Sequence, residues 1–435
     1  NMEHSSAQKH DHRNIGIVSA RFADKDGVSL ETYKWAEVFR RMGHDSYFLA
    51  GEMDIPQGII PNGKRLEDIS RVDESFHFDN GQIKEVYNSC FGTEECLAGK
   101  AKKTIDGLKD EIRDNVSRFV DDFSIDLLVA ENALTIPMNI PLGLALSEFI
   151  SESNIPTIAH HHDFYWERKR FKVNNIKNIL DAAFPSSTKN ISNVVINSIA
   201  QHNLYSKRGI SSSIIPNVMD FENPPDYTLD EYSLTFRKTF GIDEEEYIIL
   251  QPTRIVRRKK IENAIDLVSR LTEKACLVIS GLDGDEGNDG YLKFIADYAK
   301  EKGVKLILTG DYVNHTHAIA KDNRRIYNLR DVYLNADLVT YPSSHEGFGN
   351  ALLEAVYFKK PLVVNRFSVY EQDIRPKGFK FIEINNNEIP EDTIKTIETM
   401  ISSPSLVKEV TDHNYRIGKE FFSYKVLEEE LSKLL

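Results

Sequence analysis

Short apolar runs alternate with amphipathic stretches of helical period along nearly the whole chain, and this constrains the fold more than any other feature. Strand-like runs separated by helices pair in parallel, because each crossover through a helix returns the chain to the same end of the sheet. In the first half such runs fall at 14–19, 45–49, 126–130, 157–160, 193–197 and 212–215, with helical patterns at 29–42, 103–119, 142–151 and 199–206 between them. Residues 51–99 are weakly periodic and highly charged, and read as an insertion or irregular loop region.

The pattern breaks at residues 216–246, where Pro216, Pro224 and Pro225 stand among many acidic residues, as in a linker. A second alternating series follows, with strands at 247–251, 275–280, 304–308, 338–341 and 361–364. Its first helix carries Ile261, Ala264, Ile265, Val268 and Leu271 on one face. The last 25 or so residues, through Val426, Leu427, Leu431 and Leu434, read as one more amphipathic helix. The expected architecture is α/β: two doubly wound parallel-sheet, Rossmann-like domains, 14–220 and 221–410, with a cleft between them. In such sheets ligands bind outside the carboxyl ends of the strands, so the loops after strands are where chemistry belongs.

Composition narrows the functional classes. With 54 Lys+Arg against 67 Asp+Glu the 435-residue chain carries a formal charge of −13, which argues against nucleic acid as the main partner. An anionic ligand in a local basic pocket remains compatible with it. Cys90, Cys96 and Cys276 form no CxxC pair and no zinc-like set, so neither a disulfide framework nor a structural metal is expected. Residues 1–13 are polar and His-rich and read as a frayed end without a signal segment. No run of about 18 apolar residues occurs; the longest candidate, 125–150, is broken by Asp126, Glu131, Asn132, Pro137 and Pro141. A soluble, cytoplasmic protein is expected.

Two motifs carry the chemistry. The first is Ser343-Ser344-His345-Glu346-Gly347-Phe348-Gly349-Asn350-Ala351-Leu352-Leu353-Glu354-Ala355, which leaves a strand and enters a helix. Gly347 and Gly349 let backbone approach a ligand closely, and free N–H groups at a helix start favour a phosphate. Glu346 in the loop and Glu354, read as two turns into the helix, could grip hydroxyls at two ends of one ligand. The same two carboxylates could equally be a loop charge and an ordinary helix residue, and the Gly-Phe-Gly context favours the functional reading. The second motif, Pro252-Thr253-Arg254-Ile255-Val256-Arg257-Arg258-Lys259-Lys260, puts five cations directly after a strand of an acidic chain. Fixed Arg and Lys stabilise the charge that a departing diphosphate gains. Arg254 and Lys259 are read as functional, and Arg257, Arg258 and Lys260 as a solvated basic loop.

Arg followed five positions later by Lys, with Glu-x7-Glu around Gly-Phe-Gly, resembles the family 4 retaining glycosyltransferases of GT-B fold. The resemblance spans most of the second domain and, more thinly, the first. It includes Pro216-Asn217 and the terminal Phe421-Phe422-Ser423-Tyr424, and implies that 411–435 is a helix crossing back to the first domain. It implies that Arg254 and Lys259 hold the diphosphate of a nucleotide sugar, that Glu354 holds the ribose, and that Glu346 contacts the transferred hexose. Backbone of Phe348, Gly349 and Asn350 would touch sugar and phosphate, and Val313, in Gly310-Asp311-Tyr312-Val313, would lie nearest the base. Residues 314–325 are extra length beyond the family's usual spacing.

The first domain is expected to serve the acceptor. Where the family has two adjacent glycines this chain has Asp26-Gly27, which keeps a backbone role for Gly27 and puts close packing by Asp26 in question. Thr157-Ile158-Ala159-His160-His161-His162-Asp163 resembles the family's strand-end His-Asp, which places His162 among the catalytic residues and His161 and Asp163 at the acceptor. Adjacent residues of an extended chain point opposite ways, and no carboxylate has suitable spacing nearby, so no metal is expected at the His triplet. Glu131-Asn132 ends an inner strand; Asn132 is read as acceptor-binding, and turn chemistry is an equal alternative. The tract Arg168-Lys169-Arg170-Phe171-Lys172 is read mainly as a solvated face, with an anionic acceptor or an acidic membrane surface as alternatives.

The expectation is thus a retaining hexosyltransferase. It would use a GDP-, UDP- or ADP-hexose and a small soluble acceptor, such as a sugar, a sugar phosphate or a glycerate derivative. The nearest members would resemble sucrose-phosphate synthases or glycosylglycerate synthases. No cofactor is required, although Mg2+ could ride on the donor diphosphate. The alternatives on this architecture are a phosphorylase, a nucleotide-sugar epimerase, a transferase with a lipid or polysaccharide acceptor, or a binding protein without turnover.

Overall fold

The computed structural model describes residues 11–23, 26–284 and 290–435. Most of the polar opening, together with Asp24 and Lys25 of the first-strand loop, lies outside the described residues. The chain forms two compact units, Asn1–Val218 with Tyr424–Leu435, and Met219–Ser423.

The first unit runs β1 (Asn14–Val18), α1 (Gly27–Arg41), β2 (Asp45–Ala50), β3 (Ser70–Val72), α2 (Gly81–Cys90), α3 (Gly99–Asp122), β4 (Leu127–Glu131), α4 (Ile140–Ser153), β5 (Thr157–His161), α5 (Lys177–Ala183), β6 (Ile191–Val195), α6 (Ser198–Arg208) and β7 (Ser213–Ile214). The strands form one parallel sheet in the order β3-β2-β1-β4-β5-β6-β7. Alternation sorts the side chains into two cores. Ile15, Ile17, Leu127, Val129, Ile158 and Val194 pack with Trp35, Ala36 and Phe39 of α1. Val18, Leu128, Ala130 and Ala159 pack on the other face with Ile112, Val116 and Phe119 of α3 and Leu142 and Leu146 of α4. The stretch read as irregular, 51–99, in fact supplies an edge strand, β3, and the helix α2. β3 is three residues long, too short to show a period.

The second unit runs α7 (Phe236–Thr239), β8 (Tyr247–Gln251), α8 (Ile261–Ser269), β9 (Ala275–Ile279), α9 (Tyr291–Glu301), β10 (Lys305–Leu308), β11 (Ala318–Ile319), β12 (Arg325–Ile326), α10 (Leu329–Asn335), β13 (Leu338–Tyr341), α11 (Asn350–Tyr357), β14 (Leu362–Asn365), β15 (Ile382–Ile384), α12 (Glu391–Ile401) and α13 (Pro404–Phe421). Its six-stranded parallel sheet has the order β10-β9-β8-β13-β14-β15, and β11 and β12 form a separate antiparallel ribbon. The extra length at 314–325 is this ribbon.

The terminal segment is two helices instead of one. α13 stops at Phe421, where Phe422 takes a non-helical conformation and its carbonyl accepts the Met219 N–H at 2.9 Å. Phe422 is buried against Phe348, with ring centroids 5.4 Å apart. Only the last helix, α14 (Tyr424–Ser432), belongs to the first unit, where Leu427 and Leu431 join the α1-side core. Among the described residues no helix is long and apolar enough to cross a membrane.

Candidate functional site

In each sheet the strand order reverses beside the first strand, between β1 and β4 in one unit and between β8 and β13 in the other. Loops leaving the carboxyl ends of such neighbouring strands diverge to opposite faces and leave a crevice, the usual ligand site of an open parallel sheet. Both sequence motifs fall there.

In the second unit the loop after β8 turns back through Arg257–Lys259, and Lys260 follows in a left-handed conformation at φ 51°. The loop after β13 is tied to it, since Ser344 N–H donates to the Arg258 carbonyl at 2.8 Å. This registers two side chains from distant parts of the sequence: the buried Lys259 ammonium forms an ion pair with the Glu346 carboxylate. Arg258, assigned from sequence to the solvated loop, donates to the same carboxylate at 3.0 Å and to the His345 carbonyl at 3.2 Å. It was missed because a run of five cations does not show which of them turn inward. Burial alone would push the Glu346 carboxyl up, but the Lys259 and Arg258 charges hold it below its ordinary value. Burial lowers the Lys259 ammonium in turn, with Glu346 opposing. Arg254 is exposed on the same loop.

Gly349, at φ 120°, adopts a conformation that L side chains rarely take, and α11 starts at Asn350. Glu354 therefore lies just over one turn into the helix, not two, and accepts a hydrogen bond from the Tyr333 hydroxyl at 2.7 Å. The Phe348 side chain is buried against Phe422, so its backbone is what it can offer a ligand. Val313 follows the Gly310–Tyr312 turn and bridges Tyr327 at the base of the β11–β12 ribbon. The backbones of two neighbouring loops meet closely here: a Cβ on Gly310 would lie 2.6 Å from the Gly281 carbonyl oxygen.

In the first unit Gly27 is exposed at the first position of α1. Asp26 does not pack but caps the helix, its carboxylate accepting from Ser29 N–H at 3.3 Å and Ser29 Oγ at 2.9 Å. Parallel pairing sets Glu131 at the end of β4 beside His160 on β5. Glu131 Oε1 meets His160 Nδ1 at 2.9 Å, and Oε2 meets His162 Nε2 at 3.4 Å. Burial opposes the charge on Glu131, but the two imidazoles hold its carboxyl below the usual range. Burial lowers His160; at His162 burial is the largest single influence, but the hydrogen bond to Glu131 and the negative charges of Glu131, Glu31 and Asp163 together outweigh it and raise the ring.

The acceptor-binding reading of His161 needs correction. Its ring lies on the opposite face of the strand, 1% exposed, with Nδ1 2.6 Å from Thr135 Oγ1 and Nε2 2.8 Å from Asn193 Oδ1. Both nitrogens are consumed inside the unit and burial pushes the ring down to about 4, which marks a neutral core histidine. Asn132, at φ 56°, turns its Oδ1 to the His162 N–H at 3.1 Å, so its side chain supports the His162 backbone. Asp163 is ion-paired with Arg168, and Arg170 stacks over Tyr87 and Phe171, which takes two cations of the basic tract out of a purely solvated role.

Among the described residues, Glu131, His160 and His162 come close enough to share a cation, with donor atoms within 4.8 Å of one another. Glu131 lies 29 positions before His160, on the neighbouring strand, so spacing along the chain shows no carboxylate near the histidines. Each Glu131 oxygen already faces a ring nitrogen, whereas the buried His160 Nε2 has no hydrogen-bond partner.

Residues 233–416 match the family model described as Glycosyl transferases group 1. The chain is 34% identical to the mannosylglucosylglycerate synthase of Thermotoga maritima, covering 96% of this chain and 99% of that one. It is 32% identical to the enzyme of the same name from Petrotoga mobilis, over 95% and 99% of the two chains. In three dimensions it resembles sucrose-phosphate synthase from Thermosynechococcus elongatus with a TM-score of 0.64, at 14% identity over 97% of this chain and 98% of that one. Related along its whole length to named transferases and built on the same two parallel-sheet units, the chain belongs to the group 1 glycosyl transferases and is a hexosyltransferase of GT-B fold.

Proposed function

We propose that this chain transfers a mannosyl group, with retention of anomeric configuration, from a nucleotide-diphosphate mannose to a hydroxyl of glucosylglycerate. The observation that carries the donor half is the meeting of Lys259, Arg258 and Glu346 at the switch point of the second unit's sheet. A diphosphate arriving there would meet Lys259, Arg258, the nearby Arg254 and the N–H groups opening α11, all able to stabilise the charge it gains as its bond to the sugar breaks. Glu346, released in part from the cations by the phosphates, would turn to hexose hydroxyls, and Glu354 to the ribose. The acceptor half follows the names of the full-length relatives, which join mannose, glucose and glycerate in one product.

In this reading the acceptor hydroxyl attacks the anomeric carbon on the face from which the nucleoside diphosphate departs. A leaving-group oxygen takes the hydroxyl proton, so no protein nucleophile is needed. The rate comes from positioning and from stabilising the departing charge. His162 would stand at the sugar, and Gly27 at the start of α1 would offer backbone to the ligands.

The test is an end-point assay crossing GDP-, UDP- and ADP-linked mannose and glucose with glycerate, phosphoglycerate, glucosylglycerate and sucrose precursors, with and without Mg2+. The expected result is one favoured mannosyl donor, a glucosylglycerate acceptor and an α-linked product by NMR. Free phosphate consumption, an epimerised donor without acceptor, or an inverted linkage would overturn the reading.

A further inference from the structure

The His162 ring meets a carboxylate, Glu131, that stands on the neighbouring strand. We propose that Glu131 is a positioning residue for His162, and that His160, clamped by Trp35, holds Glu131 in place for that task. The inference rests on the transferase reading above for the role of His162, and on geometry for the rest.

Glu131 is the last residue of β4 and its side chain is 0% exposed. A carboxylate this deep needs its oxygens matched by donors, and both are: His160 takes one oxygen and His162 the other. The two imidazoles play different parts. His160 is immobilised, since the Trp35 indole of α1 stacks on it at 4.1 Å between centroids with 20° between planes. His160 sits on the same sheet face as Val129 and Ile158 and is only 1% exposed. His162 lies two residues further, beyond the end of β5, where its side chain is 9% exposed.

The backbone beneath His162 is fixed by the residue after Glu131. Asn132 stands in the left-handed region, a conformation costly for a residue with a Cβ, and uses it to bond in two directions. Its N–H donates to the His160 carbonyl at 3.0 Å, and its Oδ1 accepts the His162 N–H at 3.1 Å. Glu131 therefore aims the ring while Asn132 anchors the main chain. With Nε2 committed to Glu131, Nδ1 is the nitrogen with which His162 can meet a sugar hydroxyl. The other charges around the pair have partners of their own. Glu31 on α1 bonds Lys34 and the Val218 N–H, and Asp163 pairs with Arg168. Glu131 is thus the acidic group that hydrogen-bonds the His162 ring in the described structure.

The experiment is a double-mutant cycle in the full-length chain with Glu131→Gln, His162→Asn and the combination, together with imidazole NMR of histidine-labelled protein without substrate. Glu131→Gln is expected to lower kcat about a hundredfold while both KM values stay within about threefold, in line with loss of one aligned acid–base or hydrogen-bonding group. In the His162→Asn background the same change should cost less than about twofold, because the two residues act as one unit. The protected, downfield Nε2 proton of His162 should be present in the wild type and absent in Glu131→Gln. Multiplicative losses in kcat, or an unchanged His162 signal in Glu131→Gln, would overturn the proposal. So would a stoichiometric divalent metal in the purified protein that is lost with Glu131. If no donor–acceptor pair supports turnover, the transferase reading fails, while the NMR arm still decides whether Glu131 positions the ring.

Discussion

Lys259 and Glu346, 87 positions apart, are joined in a buried ion pair at the point where β8 and β13 diverge. Breaking such a pair by removing one partner strands the other charge in a poorly solvated place, whereas replacing both with apolar side chains of similar volume can be neutral. Lys259→Met is therefore expected to destabilise the second unit by about 3 kcal/mol. Lys259→Met combined with Glu346→Leu should recover most of that loss in thermal unfolding, yet leave transfer below about 1% of wild type. A stable double variant with normal turnover would reduce the pair to a structural device.

Arg254 separates the chemical role of the basic loop from its structural one. It is exposed on the loop that carries the buried Lys259. Arg254→Ala should leave the unfolding temperature within a degree or two and lower kcat/KM for the donor about a hundredfold, the scale on which single charge-stabilising donors act. Titration with the bare nucleoside diphosphate should show weakened binding, and unchanged affinity would remove Arg254 from the diphosphate site.

The contact between Tyr333 and Glu354 allows a finer test. The Tyr333 hydroxyl is buried and donates to Glu354 Oε2 at 2.7 Å, which holds the carboxylate toward one side of α11. Tyr333→Phe removes one hydrogen bond, worth about 1 kcal/mol. The expected result is a donor KM raised about fivefold with kcat kept, measured by initial rates at saturating acceptor. A selective fall in kcat would place Glu354 at the reacting sugar instead of the ribose.

How much of this was legible in the sequence depended on whether a feature is local. The strand–loop–helix around Glu346 could be read because the β13 run, Gly-Phe-Gly and the α11 pattern are contiguous. Arg258 and Lys259 look alike in sequence; only the turn at Arg257–Lys259 and the Lys260 conformation decide which way each points. The alternation of β5 correctly separates His161 from its neighbours, but the partner of His160 and His162 comes from β4 through sheet register, which no spacing rule along one strand reveals. The terminal helix was read as continuous because the apolar period runs on from α13 into α14. It breaks at Phe422 because that residue's carbonyl is needed by Met219 and its ring by Phe348. Strands β3 and β15, three residues each, were too short to show a period.

His161 gives the last prediction, a pH dependence with a definite sign. Its ring is neutral in the folded protein, with burial holding it at about 4 against an ordinary value of 6.5. Below pH 6.5 the unfolded chain takes up a proton that the folded chain refuses until about pH 4, so stability falls as the pH drops through that window. The full effect of a shift of this size is about 3 kcal/mol. His160, also lowered by burial, acts in the same direction. His162 does not contribute to the slope, because a raised ring is charged in both states below 6.5, and Glu131 adds its loss only below the ordinary carboxylate range. His161→Gln should therefore be less stable than wild type at pH 7 but show a distinctly shallower decline between pH 6.5 and 4.5. Chemical unfolding followed at half-unit pH steps measures both slopes, and parallel curves for the two proteins would mean that His161 titrates normally in the fold.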